Sequence, residues 1–67
     1  MTLSILTPRE VELVRLLSQG LKNKEIAEAM GLTEFVTKKY LTKIYEKTGM
    51  WHRTELALWY LHHAVSE

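Results

Sequence analysis

Ala27 and Gly31, inside the segment from residue 20 to residue 49, constrain this chain more than any other feature. Two helices that cross closely need a small residue at the crossing, and an abrupt reversal between them needs a residue tolerant of positive φ. Alanine and glycine supply those properties in that order. Around them, Gly-Leu-Lys-Asn-Lys-Glu-Ile-Ala-Glu-Ala-Met-Gly-Leu-Thr reads as a short helix and a tight turn, followed by a lysine-bearing helix that Gly49 stops. This is the pattern of a helix-turn-helix, whose second helix enters the groove of DNA.

Local signals place four helices. Thr7 can cap the first, Pro8 suits its first position and Glu10 can reach back to the cap; Leu13, Val14, Leu16 and Leu17 give it an apolar face, and Gly20 ends it. Asn23 is expected to cap a second helix over about residues 24 to 30, with Ile26, Ala27 and Met30 on one side. Thr33 caps the third, which runs to about Thr48. Its apolar stripe is Val36 or Thr37, then Tyr40, Leu41, Ile44 and Tyr45; the far side carries Phe35, Lys39, Thr42 and Glu46, flanked by Lys38 and Lys43. The fourth helix, from about Arg53 to Val65, is apolar on more than one face, through Leu56, Ala57, Leu58, Trp59, Tyr60, Leu61, Ala64 and Val65. A monomer's surface helix should not be so apolar all round, which points to a partner. The expectation is an all-α fold, a compact four-helix bundle in a single domain over residues 1 to 67.

Composition narrows the function classes. With no cysteine the chain has neither a disulfide framework nor a thiolate metal site. The run from Leu56 to Leu61 is far too short to cross a bilayer and no charged-then-apolar leader opens the chain, so a soluble, cytoplasmic protein without a membrane partner is expected. His62 and His63 diverge by about 100° on a helix, and no aspartate is present to complete a site with them or with His52, so no metal and no cofactor are expected. An enzyme finds no support: the chain offers no nucleophile with a base, no paired carboxylates in a cleft and no phosphate loop.

Charge is more telling by position than in total. The formal net charge is only +1, but residues 22 to 53 hold seven cations (Lys22, Lys24, Lys38, Lys39, Lys43, Lys47, Arg53) against four glutamates (Glu25, Glu28, Glu34, Glu46). The positive field therefore concentrates on the helix-turn-helix and its flank.

The chain resembles the DNA-binding domain of LuxR-type regulators, also called the GerE or NarL/FixJ-type domain, over about residues 6 to 60. The resemblance rests on Leu6-Thr7-Pro8-Arg9-Glu10, Gly20, Asn23-Lys24-Glu25-Ile26-Ala27, Gly31-Leu32-Thr33, Lys38, Ile44, Lys47, Gly49 and Arg53-Thr54-Glu55. It implies a transcription-factor domain whose third helix enters the major groove and whose fourth helix forms a dimer contact. The chain departs from the pattern at Val36-Thr37 (usually Thr-Val), Tyr40 (histidine), Lys43 (asparagine), Thr48 (leucine) and His52 (a serine-like cap). Thr37 and Thr48 place hydroxyls where apolar core is usual, so local repacking or some loss of stability is expected.

Candidate contacts sort by position. Lys38, Lys39 and Thr42 occupy the outward face of the first half of the third helix, where the resemblance places base readers; Lys43 can serve bases or phosphate. Phosphate contacts are expected from Lys22, Asn23 and Lys24 at the start of the second helix, from Thr33 and from Lys47. Arg9 and Glu25 either form an ion pair between the first two helices or stand as separate surface charges. Phe35 either touches a thymine methyl or sugar or folds back on the turn, and Trp51 and Trp59 are expected in core or dimer packing. The dimer contact is expected at Leu56, Trp59, Tyr60 and His63. The expected partner is double-stranded DNA bearing an inverted repeat, bound by a homodimer through the fourth helix, with RNA polymerase as a further candidate. The alternative is a protein-interaction module that keeps the fold without sequence-specific DNA recognition.

Overall fold

A reciprocal pair of hydrogen bonds starts the first helix, α1 (Pro8–Ser18). The Glu10 amide donates to Thr7 Oγ1 at 3.2 Å and the Thr7 amide donates to Glu10 Oε1 at 2.8 Å, the capping box expected from Thr-Pro-Arg-Glu. Leu6, just before the cap, is buried, and Val11 packs on the same core, so the entering chain is held at the end of the helix. The computed structural model describes residues 5 to 66, with side chains up to residue 64; Val65, expected on the apolar surface of the last helix, lies outside the described side chains.

The second helix, α2 (Asn23–Met30), starts one residue earlier than expected and on a different cap. Lys22 is the capping residue, and its amide donates to Glu25 Oε1 at 2.7 Å. Asn23 does not cap, because its Oδ1 accepts a 2.7 Å hydrogen bond from Arg53 Nη1 instead. At the far end the Leu32 amide donates to the Ala27 carbonyl (2.8 Å) and the Gly31 amide to that of Glu28 (3.4 Å). Gly31 sits at φ 70°, ψ 32°, a left-handed turn that closes the orphan carbonyls and reverses the chain within two residues.

Thr33 then caps α3 (Glu34–Thr48), accepting from the Val36 amide at 3.1 Å. Thr37 takes the inward position and is fully buried, while Val36 is only half-buried. The hydroxyls of Thr37 and Thr48 donate to the carbonyls four residues back, Thr33 and Ile44, both at 2.9 Å. Such back-bonding satisfies a buried hydroxyl inside the helix itself. Among the described residues no buried side-chain nitrogen or oxygen lacks a partner. The polar penalty expected at these two positions is thus offset locally, and Leu41 and Ile44 pack inward beside Thr37.

The last helix, α4 (Arg53–Ser66), opens with Glu55 accepting from the Trp51 amide at 2.8 Å, in place of a serine-like cap at His52. It lies mainly against α1, while α2 packs on α3 and α1. Leu13, Val14, Ile26, Ile44 and Leu56, at 0% exposure, bring all four helices into one core. The Cα radius of gyration is 10.9 Å, matching the roughly 11 Å of a close-packed chain of this length. No strand occurs among the described residues, and the fold is the expected all-α bundle with α2 and α3 as its helix-turn-helix.

Candidate nucleic-acid interface

The core decides which cations remain available outside it. Glu10 is buried at 3% exposure, which on its own would raise its pKa; the Lys47 ammonium at 2.7 Å and the Thr7 amide outweigh that and hold the carboxyl below its ordinary value of 4.5. Lys47, expected against phosphate, is therefore half of an ion pair that ties α3 to the start of α1, and its charge is locally neutralised. Arg53 is committed too, donating to Asn23 Oδ1 and to the Leu21 carbonyl, and so joining α4 to the loop before α2. The Asn23 side chain is correspondingly engaged at its oxygen, which leaves its side-chain NH2 and its backbone amide as that residue's donors to an anion.

Arg9 and Glu25 do not pair. Arg9 Nη2 donates weakly to the Met30 carbonyl at 3.4 Å, so it still links α1 to α2, while Glu25 caps Lys22. The one ion pair among the described residues is Lys47–Glu10. Lys22, Lys24, Lys38, Lys39 and Lys43 all stand exposed, with Lys22 and Lys24 at the start of α2 and the other three on α3.

On α3 these lysines share one side with two further residues. Phe35, Lys38, Lys39 and Thr42 recur at helical spacing with Lys43 beside them, and all five are exposed, whereas Thr37, Leu41 and Ile44 opposite are buried. Thr42 Oγ1 donates to the Lys38 carbonyl at 3.1 Å. That bond leaves its methyl group and hydroxyl lone pairs to face outward, so Thr42 can meet a thymine methyl or accept from an amino group. Lys39 Nζ rests 4.9 Å from the centre of the Phe35 ring, a cation–π contact worth about 0.5–1 kcal/mol at an exposed position. Thr33, the cap, is exposed at the beginning of the same helix.

This arrangement, a left-handed glycine turn delivering an exposed lysine-bearing helix, coincides with a family match. Residues 4–60 match the family of bacterial regulatory proteins described as the luxR family, GerE. The chain belongs to the LuxR family. It is 43% identical over 61 residues to the response regulator Rre1 of a Synechocystis species. It is 46% identical over 56 residues to the DNA-binding transcriptional activator DevR/DosR of Mycobacterium tuberculosis, and 39% identical over 54 residues to the nitrate/nitrite response regulator NarL of Escherichia coli K12. These stretches cover 91%, 84% and 81% of this chain but only 26%, 26% and 25% of the three relatives, so the chain spans about a quarter of their length. No solved structure matches the chain significantly. No helix among the described residues is long and apolar enough to cross a membrane.

Within this LuxR-type domain the residues expected at the dimer contact of the fourth helix lie at different depths. Leu56 lies wholly inside the core at 0% exposure and cannot face a second molecule. Trp59 and Tyr60 are half-buried and pack on that core. His63 meets Trp59 at a tilt of 39°, with ring centres 5.1 Å apart, and donates from Nδ1 to the Trp59 carbonyl at 2.9 Å. Among the described residues, the large apolar side chains that α4 leaves to solvent are Leu58, at 62% exposure, and Leu61, at 47%. Trp51, expected in packing, is 83% exposed and lines an open depression of about 370 Å³ with Tyr45, Glu46, Gly49 and Met50.

Three of these features escaped the sequence reading. The Glu10–Lys47 pair joins residues far apart in the chain, and nothing local announces it. The Arg53 tie to Asn23 is equally long-range. The Phe35–Lys39 contact did carry a signal, since residues four apart on a helix face each other.

Proposed function

We propose that this chain binds double-stranded DNA in a sequence-dependent way as the DNA-binding domain of a bacterial transcription regulator, with α3 in the major groove. The observation that carries the reading is the outward face of α3, where Lys38, Lys39, Thr42 and Lys43 are exposed while the other long-chain cation of that helix, Lys47, is held by Glu10. Lys38 and Lys39 suit guanine O6 and N7, and Thr42 suits a thymine methyl or an amino donor. Lys22, Lys24, Thr33 and the amides of Asn23 supply phosphate contacts that fix the register, with Lys43 able to serve either purpose. The relatives named as response regulators or activators support regulation of transcription as the setting.

A second copy completes the proposal. An inverted repeat calls for a two-fold dimer, and Leu58 and Leu61, one turn apart on the exposed side of α4, are apolar and free of the core. They replace Leu56 as the proposed dimer contact, with the half-buried Trp59, Tyr60 and His63 as its margin. Leu58→Glu should abolish dimerisation on DNA in sedimentation, while Ala29→Glu, an exposed control on α2, should not.

A protein-interaction role has one observation in its favour, the depression beside Trp51, which lies at the opposite end of α3 from Phe35. An exposed tryptophan beside a methionine and a tyrosine is a suitable anchor for a protein partner. Selection of tight binders from a random duplex library separates the readings. The DNA-binding proposal expects an enriched inverted repeat whose affinity falls with salt by a log–log slope of about −0.9 per neutralised phosphate. No enrichment, with only weak binding to every duplex, would contradict it.

A further inference from the structure

Phosphate attraction gives no reason for an aromatic ring on the outward face of α3, yet Phe35 stands there at 68% exposure, outside the core. Lys39 follows it by one turn, with Nζ 4.9 Å from the centre of the Phe35 ring. Lys39 also lines an open depression of about 250 Å³ together with Val36, Tyr40 and Lys43. A lysine on a flexible stem loses rotamer freedom when it reads a base. Resting the ammonium against a ring removes part of that freedom before DNA arrives.

We infer that Phe35 and Lys39 form a single base-reading unit, in which the ring meets a thymine C5-methyl group and aims the Lys39 ammonium at O6 and N7 of a nearby guanine. The inference rests on the groove reading proposed above. The thymine methyl is the apolar feature that the major groove displays, and an aromatic ring is among the groups that bury it. The guanine acceptors are where a lysine gains most. One turn of helix advances about 5.4 Å and one base-pair step about 3.4 Å, so the two contacts fall about one to two base pairs apart. Phe35 is thus a specificity residue in its own right and a positioning residue for Lys39. Its side chain is exposed, so replacing it leaves the core untouched.

The test compares the parent chain with Phe35→Ala, Phe35→Leu and Lys39→Met, each checked for unchanged helicity. Each is used to select from the same random duplex library. The parent's enriched duplex is then resynthesised with deoxyuridine at the thymine, which removes only the methyl group, or 7-deazaguanine at the guanine, which removes N7. The parent should bind the uracil duplex roughly fourfold more weakly, the loss expected for one buried methyl, and Phe35→Ala should bind both equally. Phe35→Leu should keep the thymine preference, because leucine also covers a methyl, but lose the guanine preference as Lys39→Met does, because it has no π face to hold the ammonium. If Phe35→Ala discriminates uracil as strongly as the parent, or Phe35→Leu still discriminates 7-deazaguanine, the inference falls while the groove reading stands. If the parent enriches no sequence at all, the groove reading fails and takes this inference with it.

Discussion

On the inner side of α3, Thr37 is fully buried and donates its hydroxyl to the Thr33 carbonyl, and near the end of the helix Lys47, although itself exposed, is locked to the buried Glu10. On the outer side Thr42 and Lys43 face solvent. The two sides draw on the same residue types, and their partners separate them. A lysine that meets a buried carboxylate becomes part of the scaffold, while a lysine without one remains available to an anion from outside. The charge count of the middle segment therefore overstates the field offered to a ligand. Lys47 and Arg53 bind the helices to one another, and the remaining five lysines lie on α3 and at the start of α2.

Mutations on the two sides should separate cleanly, and the largest effect is expected outside. Lys38→Ala combined with Lys39→Ala should weaken binding to a selected duplex by about a hundredfold or more, as expected for losing two base contacts. It should leave the thermal midpoint unchanged, because neither side chain takes part in the core. Titration by fluorescence anisotropy together with thermal denaturation checks both halves. A drop in midpoint comparable to the loss of affinity would erase the distinction between the faces.

The scaffold counterpart is Lys47→Met. It leaves Glu10 buried without its cation and should cost roughly 1–3 kcal/mol, lowering Tm by about 5–20 °C in a domain of this size. Affinity of the folded protein for DNA should change little. The same pair sets an acid limit. Because the Glu10 carboxyl is held below its ordinary 4.5 in the folded state, its contribution is complete above that value and is lost as pH falls through the lowered one. Stability of the parent should therefore decline as the solution is acidified below about pH 4.5, and Lys47→Met should flatten that decline. Denaturation curves across the acid range measure both.

Thr37→Val keeps the shape of a buried side chain and removes a hydroxyl whose bond is internal to the helix, so stability should move by less than about 1 kcal/mol. DNA affinity should not move at all. A large loss of affinity from this inner substitution would mean that the two faces are coupled through the helix.

Much of the fold was legible because its signals are local. The capping box of Thr7 and Glu10, the left-handed turn at Gly31 and the cap at Thr33 act within a few residues, and each does in the structure what the sequence implies. The cap of α2 differs from the local expectation because Asn23, a good capping residue by type, is drawn away by Arg53 from the start of another helix. The sequence pattern does not distinguish Leu56 from its outward neighbours, because α4 is apolar around much of its circumference and periodicity cannot say which apolar side meets α1. The same ambiguity hid Leu58 and Leu61 as the exposed pair. Lys47 looked like its neighbours on the helix until Glu10 arrived from the far end of the chain.

The most direct test of the central claim is a nuclear magnetic resonance titration of the isotope-labelled chain with a selected duplex. The expected result is that amide shifts concentrate from Thr33 to Lys43 and at the start of α2, with the outer residues of α1 and the Trp51 depression unmoved. Shifts centred on Trp51 and Met50, with α3 from Phe35 to Lys43 silent, would contradict the claim that the outward face of this helix meets DNA.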